Sequence, residues 1–217
     1  FARLQGPLAP RDFVGGLEVE YRLGPSPKTF ALRTNNGYQP GTIPTVIATI
    51  RGKTNRTVLA GNHRDAWVYG AVDPHSGTVS MLEAARSFGH LRRQSDGWRP
   101  IRTIVFCSWS GEEYGLIGST AFTELHDLRE AVAYVNLDVA VSGNRTLQAS
   151  GTQSLDVLFD RAVKDVEGSV PWTAYASNQP DAKAAIDGVS KLGTMGSGSD
   201  YTAFIDHLGI PSIDFSY

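Results

Sequence analysis

From residue 43 onward the chain alternates short apolar runs with longer amphipathic ones. IPTVIATI (43–50) and TVLAG (57–61) are β-rich runs of strand length. Residues 76–93 follow, with Val79, Leu82, Ala84, Phe88 and Leu91 at mixed spacings of three and four, which predicts a helix with one apolar stripe. IRTIVFCSW (101–109) is almost wholly apolar, as expected of a strand covered on both faces, and 116–129 reads as the helix after it. AVAYVNLDVAV (131–141) is the next strand. After a turn at Ser142-Gly143-Asn144 come a strand over 145–149, a helix near 153–167, a loop rich in Pro, Asn and Asp, a helix near 200–208 and a last strand over 210–215. Such alternation predicts an α/β sandwich with a largely parallel sheet. Residues 1–42 carry Pro7, Pro10, Pro25, Pro27 and Pro40 among many glycines, the pattern of an approach segment packing on the domain that 43–217 forms.

Composition narrows the class. The 217 residues suffice for one domain with a sizeable core, and 41% hydrophobic against 19% charged residues describes a folded body. The net charge is -2, and the longest basic run is the pair Arg92-Arg93, so no electrostatic footprint for nucleic acid exists. One cysteine, Cys107, excludes an internal disulfide framework. No apolar stretch reaches the roughly 18 residues of a membrane span. A start on Phe1 and an end just after a strand-like run read as a fragment of a longer protein.

In parallel α/β sheets ligands bind beyond the carboxyl ends of the strands. Three of those ends carry acids or histidine: Asn62-His63-Arg64-Asp65 after TVLAG, Glu112-Glu113 after IVFCSWSG, and Asp138 within YVNLDVA. Asp73, in VDPHSG, stands at the turn before the helix over 76–93. Singly, each has a plain explanation, Asp73 as a helix cap, Glu112 and Glu113 as solvated loop acids, His63 as a structural histidine. Together, four carboxylates and an imidazole at one sheet edge repel one another unless cations neutralise them. Imidazole with carboxylates suits zinc, whereas an all-oxygen set suits calcium or magnesium. With two ions, Asp73 is placed to bridge, and Glu112-Glu113 to divide proton handling from metal binding. Asp65 is placed to accept the second imidazole N–H of His63 and fix its tautomer.

These residues resemble the co-catalytic di-zinc peptidases, in particular their glutamate carboxypeptidase II and transferrin receptor branch. The resemblance lies in NHRDAWVYGAVDPHSG (62–77), SWSGEEYGLIGS (108–119), AYVNLD (133–138) and LGTMGSGSDYTAF (192–204), in that order. It implies a three-layer sandwich with a mixed, mostly parallel central sheet, and a peptidase acting on small peptides with two Zn2+. His63 and Asp138 would bind one ion, Glu113 the other, Asp73 both, and Glu112 would be the general base. The fifth protein ligand, a histidine, is expected beyond Tyr217. His75, His90, His126 and His207 read as structural or surface histidines. The resemblance also implies substrate contacts from Ser197, Gly198 and Ser199; the same residues read equally as a glycine turn whose cap is Ser199 or Asp200. The branch's calcium site is not carried over intact, since one acid falls on Ala121 while Glu124 is kept.

Where that branch carries an arginine pair for acidic side chains, just after the last strand, this chain has Asp214 and Ser216, and Ser199 replaces an asparagine. A general di- or oligopeptidase is therefore expected rather than an enzyme for strongly acidic peptides. The rival classes are a transferrin-receptor-like binding protein, which would have lost ligands, and a glutaminyl-cyclase-like enzyme, which the Glu112-Glu113 pair and NHRDAW disfavour. The resemblance further implies an extracytoplasmic, membrane-anchored homodimer assembled through a C-terminal domain outside this sequence. Sequons at Asn55 and Asn144 would carry glycans in a secretory pathway.

Overall fold

The computed structural model describes residues 6–25, 29, 31–94, 97–143, 147–166, 172–174 (backbone alone) and 192–217. The chain divides into two compact units, Phe1–Gly41 and Thr42–Tyr217. In the first, an antiparallel bridge pairs Leu8 with Arg22, and one 3-10 turn covers Arg11–Phe13. The rest of its described backbone is irregular, as its prolines and glycines require.

Among the described residues the second unit contains seven strands, β1 Val46–Ile50, β2 Thr57–His63, β3 Thr103–Trp109, β4 Ala131–Asn136, β5 Leu147–Gly151, β6 Trp172–Ala174 and β7 Ser212–Ser216. Its helices are α1 His75–Gln94, α2 Ile117–Leu125 and α3 Asp156–Asp165, with a π-helical segment at Ala203–His207. The strands lie in the order β1-β3-β2-β4-β7-β5-β6. The central four, β3, β2, β4 and β7, run parallel, while β1 and β5 are antiparallel to their neighbours β3 and β7. This is the mixed, mostly parallel sheet of an α/β sandwich.

Both faces of the central strands are covered, which explains their near-continuous apolar runs. On one face Leu59, Cys107, Trp109 and Tyr134 pack with Ala203 and Phe204 of the π-helical segment and with Phe122 of α2. On the other, Phe106 and Ala60 pack with Met81, Ala84, Ala85 and Phe88 of α1. Leu147, Ala149 and Ile213 of β5 and β7 pack with Phe159 and Val163 of α3. From β2 the chain passes through α1 to β3 on one side of β2, then through α2 to β4 on its other side. That reversal opens a crevice at the carboxyl ends of β2, β3 and β4. Their register sets the end of β3, Trp109, opposite His63, and ends β4 at Asn136 opposite Gly61, so that Asp138, two residues beyond β4, reaches His63.

Several elements are shorter than the apolar pattern predicts. The helix expected over 116–129 stops at Leu125, because the Asp127 carboxylate binds the main-chain N–H (3.1 Å) and guanidinium of Arg129 in a local turn that competes with helix. The strand expected over 131–141 ends at Asn136, after which Leu137 still donates to the Gly61 carbonyl (3.0 Å) but the chain turns toward the crevice. The expected helix near 200–208 contains a wider π-helical segment, a form often found near functional sites. The Asn144 sequon and most of the Pro, Asn and Asp-rich loop lie outside the described residues.

Candidate active site

His63 is the last residue of β2 and is 1% exposed. Its Nδ1 lies 2.9 Å from the Asp65 main-chain oxygen. A carbonyl can only accept, so Nδ1 carries the proton, and Nε2 of the neutral ring turns its lone pair toward the crevice. There it meets carboxylates: Asp138 Oδ1 at 2.9 Å, Asp73 Oδ1 at 3.3 Å and Glu112 Oε2 at 3.7 Å. A lone pair facing three carboxylates is stable only with a cation between them, either a proton or a metal ion. Burial alone would keep the ring neutral, but the hydrogen bond and charge of Asp138, with the charges of Glu112 and Asp200, raise the His63 pKa to about 9.

Two ligand groups share this imidazole, His63-Asp73-Asp138 and His63-Glu112-Glu113, with donor atoms in each within 4.8 Å of one another. The structure therefore brings together the five residues that the sequence singled out for metal and base. Burial, followed by the charge of Asp138, raises the Asp73 pKa. Burial raises Glu112 to about 7, against the opposing pull of His63. Asp138 stays below the usual carboxylate range despite its burial, because His63 and the Ser199 hydroxyl hydrogen-bond to it. A donor set of one imidazole and several carboxylates, mutually repulsive as it stands, fits zinc.

The position of each donor has a local cause. Gly111, at φ +76°, turns the chain out of β3 so that Glu112 and Glu113 follow at once. The Asp65 carboxylate binds the main-chain N–H groups of both, at 3.1 Å each. This corrects the role expected of Asp65: its main-chain oxygen orients His63, while its carboxylate, 3.8 Å from Nδ1, braces the two glutamates. Glu113 Oε1 in turn accepts the main-chain N–H of Trp67 (3.2 Å).

Three residues that the sequence pattern did not mark hold the crevice together. Asn62, fully buried, donates to the carbonyls of Leu137 (2.7 Å) and Pro74 (3.1 Å), tying β2 to the segments that carry Asp138 and Asp73. Gly77 allows α1 to press on the chain there, since a Cβ would stand 1.8 Å from the Leu137 oxygen and 2.3 Å from that of Asp138. Asn136 sits in a buried relay: Trp109 Nε1 donates to Tyr134 Oη (2.9 Å), Tyr134 to Asn136 Oδ1 (3.0 Å), and Asn136 Nδ2 to Ser199 Oγ and Asp214 Oδ1 (2.9 Å each). Asn62 directly before His63, and Asn136 two residues before Asp138, were the available signals for the two amides.

The Ser199 side chain is thus buried and engaged with Asn136 and Asp138, so the substrate contact expected of it is not one its hydroxyl is free to make. It opens a turn through Thr202 N–H to the Ser199 carbonyl (3.0 Å). Ser197 and Gly198 are exposed, the latter at φ +132°. Asp214 and Ser216, expected after the last strand, lie within β7, Asp214 bound to Asn136 and Ser216 buried. Asp200 is fully buried, and neither of its oxygens has a well-formed hydrogen bond among the described residues, the Ser119 hydroxyl, which also lies 3.2 Å from the Leu116 carbonyl oxygen, being the group that favours its charge.

The family model for peptidase family M28 matches residues 45–217, the span that contains every donor described above. The chain belongs to peptidase family M28. Within M28, it is 41% identical to the aminopeptidase NAALADL1 of Mus musculus over 99% of this chain and 31% of that relative. It is also 41% identical to a probable glutamate carboxypeptidase, LAMP1, of Arabidopsis thaliana, over 91% of this chain and 29% of the relative. The chain thus spans about a third of the length of the curated relatives it matches. Among solved structures, a zinc aminopeptidase from Bacillus subtilis superposes with a TM-score of 0.55 at 23% identity, covering 79% of this chain and 39% of that one, which establishes the shared M28 fold.

Proposed function

We propose that this M28 chain carries most of the active site of a zinc metallopeptidase that hydrolyses small peptides. The observation behind this reading is the His63 Nε2 lone pair facing Asp138, Asp73 and Glu112, with Glu113 in the second ligand group. His63, Asp73 and Asp138 would hold one zinc ion, and Glu113 with a shared Asp73 the second, completed by a histidine beyond Tyr217. When bound, the ions supply Lewis acidity toward a peptide carbonyl and lower the pKa of water.

The chain's own residues handle the proton. Glu112 Oε2, with a pKa of about 7, is suited to take a proton from attacking water and return it to the leaving amine at neutral pH. Asp65 fixes the backbone from which Glu112 and Glu113 project. Asp214 and Ser216 stand where the resembling branch carries its pair of acid-binding arginines, which supports substrates that are not strongly acidic. A receptor-like reading requires lost ligands, and all five residue types are present. Resemblance alone supports an extracytoplasmic, membrane-anchored homodimer.

The test is Glu112→Gln in the natural full-length protein. Peptide turnover should fall by about 10³-fold or more while zinc per chain is retained; activity near wild type removes Glu112 from the base role.

A further inference from the structure

Beside the metal ligands lies a cluster of outward aromatic groups that the hydrolytic chemistry does not use. Trp67 and Tyr69 stand on the loop between His63 and Asp73, and Tyr114 directly follows Glu113. Trp67 is 61% exposed, Tyr114 71%, Val68 86% and Tyr69 87%. The rings of Trp67 and Tyr114 touch across the two loops, their centroids 5.2 Å apart and their planes tilted by 54°. Contiguous exposed apolar surface of this kind marks a binding site more often than a passive surface. The platform is also held in place. Trp67 is tied through its main-chain N–H to Glu113, and Val68 adopts φ +61°, a left-handed conformation that costs a β-branched residue free energy and occurs mostly where function requires it.

We propose that Trp67 and Tyr114, flanked by Val68 and Tyr69, bind an apolar or aromatic side chain of the peptide being cut, next to the scissile bond; this inference rests on the peptidase reading above. The occupant follows from continuity with the site, since the rings belong to the same two loops that present His63, Asp73, Glu112 and Glu113. Its chemistry follows from the neighbours. The adjacent Arg64 is turned inward, its guanidinium bound to Ser108 O (3.0 Å), Ser108 Oγ (2.8 Å) and Ser110 Oγ (2.6 Å), so it offers no counter-charge to an acidic side chain. The other charges on these loops, Asp65, Asp73, Glu112 and Glu113, repel one. Two tilted rings receive a third aromatic or a branched aliphatic group by edge and face contacts.

The experiment is kcat/KM on two dipeptide series, Xaa-Ala and Ala-Xaa, with Xaa as Ala, Leu, Phe, Glu or Lys, using the zinc-loaded natural protein. In one series Leu or Phe should exceed Ala by about tenfold or more, the scale on which an apolar pocket discriminates. Trp67→Ala and Tyr114→Ala should each cut that Phe-to-Ala ratio by at least about threefold, whereas Trp67→Phe and Tyr114→Phe should keep most of it. Because the tie to Glu113 runs through the main chain, substitution at Trp67 leaves it in place. A wild-type preference for Glu or Lys overturns the proposal. So does a uniform loss over all substrates with the ratio unchanged, and so does a Trp67 fluorescence that acrylamide fails to quench in the substrate-free protein. Because wild-type ratios are measured first, a variant that fails to fold does not shield the proposal. Absence of hydrolysis with every dipeptide overturns the peptidase reading itself.

Discussion

His63 shows how much one hydrogen bond decides. By binding its own Asp65 carbonyl, the ring commits its proton to Nδ1 and offers Nε2 to the carboxylates, which is the tautomer a metal ligand needs. Asp200 occupies the opposite situation, a fully buried carboxyl, and burial, against the weaker pull of Ser119, drives its pKa up to about 7 from a usual 3.8. The sign of its effect on stability follows. Above pH 7 the folded chain must hold a buried charge that the unfolded chain solvates freely, and the penalty disappears as pH falls through 7 toward 4. Asp200→Asn should therefore raise the melting temperature of chelator-treated protein at pH 8 by about 4 °C or more, and leave it nearly unchanged at pH 4. An equal shift at both pH values would show that the acid is not charged in the fold. His63, Asp73, Glu112, Glu113 and Asp138 were legible in the sequence because their residue types announce ligand chemistry. Asp200 was not, because nothing in its type distinguishes a buried acid from a capping one.

At the level of elements, the site depends on α1 meeting the chain that leaves β4. Gly77 makes that contact in the first turn of α1, and Asn62 ties the same two segments with its side-chain amide. Gly77→Ala would place a methyl group against main-chain oxygens that have no flexible side chain to yield. The expected cost is about 3 kcal/mol, the upper part of the range for overpacking, with a loss of zinc affinity as Asp138 is displaced. Denaturant unfolding of the metal-free chain and a chelator competition measure the two effects; wild-type values in both would show that the segments do not need this approach. The glycine was visible in the sequence, within VDPHSG, but its reason was not, because its contact is with residues far along the chain. The shortened α2 has a more local cause, the Asp127–Arg129 turn.

Over the whole molecule, carboxylates and one imidazole converge where β2, β3 and β4 end, in a chain whose net charge is only -2. Zinc should therefore act as a stabiliser as well as a reactant's partner. At a free zinc concentration about a hundredfold above Kd, mass action contributes about 2.7 kcal/mol, or roughly 5–10 °C in a domain of this size. The gain should be larger at pH 8 than at pH 5.5, because a proton on the ligand His63, whose pKa is raised to about 9, competes with the metal increasingly as pH falls. Thermal melts with zinc and with chelator at both pH values check this, and a zinc effect that grows on acidification would contradict it. By itself the sequence determined the strand and helix alternation, the ligand chemistry and the resemblance to the di-zinc peptidases. These reside in residue type and near-neighbour spacing, which survive without coordinates. Only the tertiary structure decided that the Asp65 carboxylate braces Glu112 and Glu113, that Ser199 faces Asp138, and that Asp200 is sealed. Those facts depend on which atoms of distant strands face each other, and sheet register and side-chain direction set that, not residue identity.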